Sequence, residues 1–136
     1  MDAERIAIAE TCLHAAHDGS LSFPEIVGRL LASGFESYLV DYRRNVQTFY
    51  LPDGDSVTLG MPAPSGTVAP AFDAAGVAGQ VRLAQAGGPG YSYRAFSDHV
   101  RDAGCAGYLV SFSGRRVLYF GRTGETHVEH FPNQNG

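Results

Sequence analysis

Two histidines and a glutamate, His127, Glu129 and His130, fall within four residues of one another near the C-terminal end. Imidazoles and carboxylates are the side chains most used for proton transfer and, with cysteine, for holding zinc-like metals. If residues 125–131 form a strand, alternation puts His127, Glu129 and Phe131 on one face and His130 on the other. Only His127 and Glu129 then converge locally, so a metal centre needs a third ligand from elsewhere. The spacing is not that of a helical H-E-x-x-H site. His14 and His17 lie three apart on a helical pattern, close enough to share a ligand. A small metal-dependent or acid/base enzyme would therefore draw on His127, Glu129 and His130, with His14 or His17 as further ligands. The competing reading of His127 is a half-buried histidine with a hydrogen-bond partner, because seventy positions earlier stands the apolar Val57.

A second chemistry is suggested by two arginine pairs, Arg43-Arg44 and Arg115-Arg116, both at expected strand-to-strand turns. Together they would make a patch for an anion, a nucleotide or an acidic partner; apart they are solvated turn residues. Gly87-Gly88-Pro89-Gly90 precedes a helix pattern but lacks a preceding strand and the Lys-Ser/Thr of a phosphate loop, so it reads as a turn. No Ser-His-Asp arrangement, nucleophile elbow or C-x-x-C pair is present. No cofactor is implied.

The elements that must position these groups are written twice. At an offset of 70 residues, without a gap, Ser22-Phe23 returns as Ser92-Tyr93, Gly34 as Gly104, and Tyr38-Leu39-Val40 as Tyr108-Leu109-Val110. Phe49-Tyr50 returns as Tyr119-Phe120, Gly54-Asp55-Ser56 as Gly124-Glu125-Thr126, and, upstream, Leu13 and Ala16 match Leu83 and Ala86. Such self-similarity marks one structural unit used twice. Ile6, Ala9, Leu13 and Ala16 predict a helix over 3–17. Ser22-Phe23-Pro24-Glu25 has the form of a capping box and starts a second helix, closed by Gly34. Strands are expected at 38–42, 46–51 and 56–59, with Pro52-Asp53-Gly54 as a turn. The second unit predicts helices over 73–86 and 93–103 and strands at 107–112, 117–121 and 125–131. The fold class is α+β: two ααβββ units, about 3–60 and 73–131, joined by a proline-rich linker over 61–72. They share one domain, with antiparallel strands and helices packed on one side. Tyr38, Tyr42, Tyr50, Tyr108 and Tyr119 read as shared core rather than pocket lining.

Bulk composition narrows the partners. The chain has 136 residues, a net charge of -4, 44% hydrophobic and 18% charged residues, which suits one globular domain and not a disordered one. The acidic balance argues against non-specific nucleic-acid binding. No apolar run is long enough for a membrane span, and Met1-Asp2-Ala3-Glu4-Arg5 does not open a signal peptide. Cys12 and Cys105 are too few for a disulfide framework, so a reducing cytoplasm is expected.

The segment Gly114-Arg115-Arg116-Val117-Leu118-Tyr119-Phe120-Gly121-Arg122, continuing through Gly124-Glu125-Thr126-His127-Val128-Glu129-His130-Phe131-Pro132, resembles the bacterial domain-of-unknown-function family 1398. Gly19-Ser20-Leu21-Ser22-Phe23-Pro24-Glu25-Ile26-Val27 and Phe49-Tyr50-Leu51-Pro52-Asp53-Gly54 are similar to the same pattern. Members of that family often carry the label "phage envelope protein", and some occur in prophage regions. The resemblance implies a bacterial, prophage-associated protein and transfers no catalytic residue. The absent catalytic motifs, the acidic net charge, the chemistry-poor repeat identities and the pseudo-symmetry favour a non-enzymatic binding module whose partner is another protein or a second copy.

Overall fold

The computed structural model describes residues 1–62, 66–87 and 91–132. Ten elements follow in the expected order: α1 (Ala3–Asp18), α2 (Phe23–Ala32), β1 (Ser37–Asp41), β2 (Val46–Tyr50), β3 (Ser56–Gly60), α3 (Ala74–Ala86), α4 (Tyr93–Asp102), β4 (Cys105–Ser111), β5 (Arg116–Gly121) and β6 (Thr126–His130). The fold is α+β, with one antiparallel six-stranded sheet and the helices on one of its faces. Among the described residues, no helix is long and apolar enough to cross a membrane.

Local chemistry accounts for the boundaries. The Ser22 hydroxyl accepts from the Glu25 N–H at 3.3 Å, and the Glu25 carboxylate accepts from the Ser22 N–H at 2.9 Å. That closes the capping box and leaves two fewer helix-end donors unpaired. In the second unit Ser92 repeats the first half of this arrangement, accepting from the Ala95 N–H at 3.0 Å. The left-handed residues recur with the repeat: Gly34 and Gly104 have φ of 93° and 90°, Gly54 and Gly124 of 93° and 82°, Asn45 and Arg115 of 56° and 51°.

The strand order is β3-β2-β1-β4-β5-β6, so each unit forms a three-stranded meander, and within the sheet the two meet along β1 and β4. In that central ladder Leu39 stands opposite Leu109, Tyr38 opposite Val110, and Val40 opposite Tyr108. The offset of 70 converts each pairing into another of the same ladder. A pseudo-twofold axis therefore passes through the Leu39–Leu109 pair, normal to the sheet.

The gapless repeat expected from the sequence does not extend into the first helices. Leu13 is 2% exposed, whereas Leu83 is 62% exposed. The buried positions of α3 are Val77, Ala78 and Val81, against Ala9, Cys12, Leu13 and Ala15 in α1. Ala9 and Leu13 thus correspond to Val77 and Val81, at an offset of 68. The left-handed caps agree: α1 ends on Gly19 and α3 on Gly87. An offset of 70 would have matched Gly19 to Pro89 instead. The connection from α3 to α4 is two residues longer than that from α1 to α2. Gly88, Pro89 and Gly90 lie outside the described residues, as do Pro64 of the linker and residues 133–136.

The core lies between helices and sheet. Alternation in β1 buries Tyr38 and Val40 and leaves Ser37, Leu39 and Asp41 half-buried on the opposite face. Phe49, Tyr108, Val110, Val117 and Tyr119 face the helices with them. Cys12 and Cys105 are buried free thiols.

Candidate functional site

β6 is an edge strand paired to β5, with His127 opposite Tyr119 and Glu129 opposite Val117. His127 and Glu129 point to the helix face, as alternation requires, and their side chains are in hydrogen-bonding contact through His127 Nε2 and a Glu129 carboxylate oxygen. Each side chain is about a quarter exposed, at 24% and 25%. The Tyr119 ring lies beside the imidazole, centroids 6.4 Å apart. His130 is exposed on the other face, opposite Arg116. His14 is exposed on α1. His17 is held elsewhere: its Nδ1 lies 3.0 Å from the Leu13 carbonyl oxygen and its ring meets Tyr93 edge-on at 4.7 Å. Since a carbonyl only accepts, Nδ1 carries the proton there. Among the described residues no three His, Cys, Asp or Glu side chains come together as a metal site.

The two arginine pairs lie at opposite ends of the sheet. The β1–β2 turn holding Arg43 and Arg44 follows Asp41, which is opposite Gly107; the β4–β5 turn holding Arg115 follows Ser111, which is opposite Ser37. Arg115 instead sits over the Phe131 ring, 5.9 Å from its centroid. The companion of Arg43 is Arg122, from the β5–β6 turn at the same end, and the two line one surface depression with Gly66, Thr67 and Val68. Arg122 donates from Nη1 to the Val68 carbonyl at 3.1 Å. Sequence spacing offered no sign of this, because Arg43 and Arg122 are joined only by the β1–β4 pairing.

A third group emerges where α4 departs from α2. At equivalent positions Phe23 is replaced by Tyr93, Val27 by Ser97, Gly28 by Asp98 and Leu31 by Arg101. In the first unit Phe23 packs edge-on against Phe131 at 5.7 Å. In the second, Tyr93, Ser97, Asp98 and Arg101 line a crevice with His17 and Tyr42. Its space is about 20 Å³, room for about one water molecule. Within it the Tyr42 hydroxyl bonds Ser97 Oγ at 3.2 Å, and the Tyr93 and Tyr108 hydroxyls meet at 2.7 Å. Burial pushes the Tyr42, Tyr93 and Tyr108 phenols up from their ordinary range. They are neutral donors and acceptors at physiological pH, not bases. Burial likewise holds the Cys105 thiol at about 11, which removes it as a nucleophile. The crevice is too small for a substrate, and its hydroxyls satisfy one another. Repeat positions that exchange Val27 for Ser97 and Leu31 for Arg101 were the available signal for it.

Arg101 anchors this region. It is 8% exposed, pairs with Asp98, and lies over the Tyr42 ring 5.5 Å from the centroid. Arg101→Ala is expected to destabilise the fold by about 2–3 kcal/mol, from the lost stacking and buried stem. Arg101→Lys should recover only part, since an ammonium has no planar face to stack. Urea unfolding of the three proteins checks the order.

Compared with models of known protein families and with curated proteins, the chain matches none.

Proposed function

We propose that this protein is a non-enzymatic protein-interaction module and that its contact surface is the sheet face opposite the helices. One observation carries the reading. Leu39, Leu109, Leu118 and Val128 stand side by side on that face, in register across β1, β4, β5 and β6. Thr48 and Thr58 continue the row over β2 and β3. A continuous aliphatic row on a sheet face with no second layer is what a partner surface supplies and a lone domain gains nothing from. The isolated His127–Glu129 pair and the water-sized crevice give catalysis no comparable support. The resemblance adds a bacterial, prophage-associated setting to the same proposal, and the two-cysteine composition adds a cytoplasmic location.

Photo-crosslinking tests it. A photoreactive residue at position 118 is expected to yield protein adducts in bacterial cells, whereas the same residue at exposed Leu83 on α3 is not. Equal labelling at both positions, or none at 118, overturns the reading.

A second reading has its own observation. Arg43 and Arg122 line one depression, and two arginines at one depression suit a phosphate or carboxylate. Salt-sensitive binding of inorganic phosphate or a nucleotide, lost in Arg43→Ala, would favour it.

A further inference from the structure

We infer that the occupant of the open sheet face is a second copy of this chain, docked face to face about a twofold axis through Leu109. The inference rests on the interaction reading above and names its partner.

Charge placement on that face selects the occupant. Among the strand residues of that face only two carry a formal charge at neutral pH, Asp41 on β1 and Arg116 on β5; His130 and the Tyr50 phenol are the other titratable groups there. Asp41 is opposite Gly107 of β4, and Arg116 is opposite Ser111 of β4. Gly107 and Ser111 lie two residues either side of Leu109. Asp41 is thus one strand away from Leu109 and two residues in one direction, and Arg116 is one strand away on the other side and two residues in the opposite direction. Leu109 is the midpoint between the opposite charges. A twofold axis lying in the interface through Leu109, at right angles to the line joining Asp41 and Arg116, sets each Asp41 against the other copy's Arg116. Two ion pairs form, and between them Leu109 of one copy meets Leu109 of the other.

Within one chain these charges meet only backbone, among the described residues. The Asp41 carboxylate accepts from the Arg43 and Arg44 N–H groups at 3.0 and 3.1 Å, and Arg116 Nε donates to the Gly114 carbonyl at 3.1 Å. A self-complementary patch is what an isologous dimer requires. Six strands about 4.8 Å apart and five residues of about 3.4 Å each give a face of roughly 490 Å² in projection. Ordinary stable interfaces take about 800 Å² from each partner, so association should be weak and dependent on concentration.

Charge reversal with mixing tests the pairing. Light scattering across about 1 µM to 1 mM should show wild-type mass rising from that of one chain to that of two. Asp41→Arg and Arg116→Asp should each weaken association at least about tenfold through like-charge contacts. An equimolar mixture of the two variants should restore it. In the mixed dimer the introduced arginine of one copy faces the introduced aspartate of the other, and the remaining Arg116 faces the remaining Asp41. If Asp41→Arg disturbs the β1–β2 turn, Asp41→Asn keeps the turn acceptor while removing the charge, and should weaken the dimer less. Wild type that remains monomeric throughout, or a mixture no better than either variant alone, overturns the inference. The crosslink at position 118 separates the two failures. Adducts of some mass other than two chains sink the second copy and keep the interaction reading; no adduct sinks both.

Discussion

Replacing Gly104 by alanine is expected to remove most of the stability of the fold, about 4 kcal/mol or more. Gly104 has φ of 90°, where a side chain is strained. The larger effect is steric: a Cβ there would lie 1.9 Å from the Ala71 carbonyl oxygen and 2.8 Å from Phe72 Cα. That backbone cannot easily move aside. It is fastened by the Asp73 N–H to the Ala103 carbonyl at 2.7 Å and by the Ala69 N–H to the Arg101 carbonyl at 3.0 Å. The repeat supplies the control. Gly34 has nearly the same φ, 93°, yet its Cβ would meet only the flexible Arg5 guanidinium at 3.6 Å. Gly34→Ala should therefore lose about 1–2 kcal/mol, the strain of the left-handed backbone alone. Urea unfolding followed by circular dichroism reads both; equal losses would show that the Ala71 contact is unimportant.

Alkaline pH should unfold the protein over a narrow range. Tyr38, Tyr42, Tyr108 and Tyr119 are each 1–6% exposed, and burial first of all raises their phenol pKa values above the ordinary range. Below about pH 10 both folded and unfolded chains hold these protons, so the burial contribution is intact. Above it the unfolded chain ionises first, binds fewer protons, and is favoured. Each buried phenol then removes about 1.4 kcal/mol per pH unit, and four together about 5 kcal/mol. Cys105 adds the same sign at lower pH: with its folded thiol at about 11, it loses about 3 kcal/mol between its ordinary value near 9 and that point. A domain with about 5–15 kcal/mol of total stability cannot withstand this much beyond about pH 11. The urea midpoint should be flat from about pH 7 to 8.5 and then fall steeply, with phenolate absorbance rising together with the loss of ellipticity. Gradual tyrosine ionisation near pH 10 in a protein that stays folded would contradict it.

Local features of this fold were readable in the sequence because their partners are near. Ser22 and Glu25 are three residues apart, and Tyr38 and Val40 alternate with Leu39 and Asp41 within one strand. Alternation also brought His127 and Glu129 to one face and sent His130 to the other. The junction of the units was not readable. Nothing in the pattern of residues 37–41 or 105–111 says that β1 pairs with β4, and that pairing brings Arg43 beside Arg122 while keeping Arg115 at the far end. The helix offset of 68 was hidden because Leu13 and Leu83 match by type at 70 and differ by environment. Arg101 was overlooked for a different reason. A charged residue on a helix reads as solvated, and the Tyr42 ring and the crossing of residues 66–69 over the end of α4 bury it.

The single ladder joining the two meanders gives the chain the thermodynamics of a tethered dimer. Hydrogen bonds within each three-stranded half are closed by short turns, so each is a local event with little loop entropy to overcome. The β1–β4 encounter is the long-range step between the sheets. The connecting segment from β3 to α3 makes that encounter intramolecular, with an effective concentration on the order of millimolar. An association too weak to hold two separate halves together at cellular concentrations is thereby sufficient to hold this molecule in one piece.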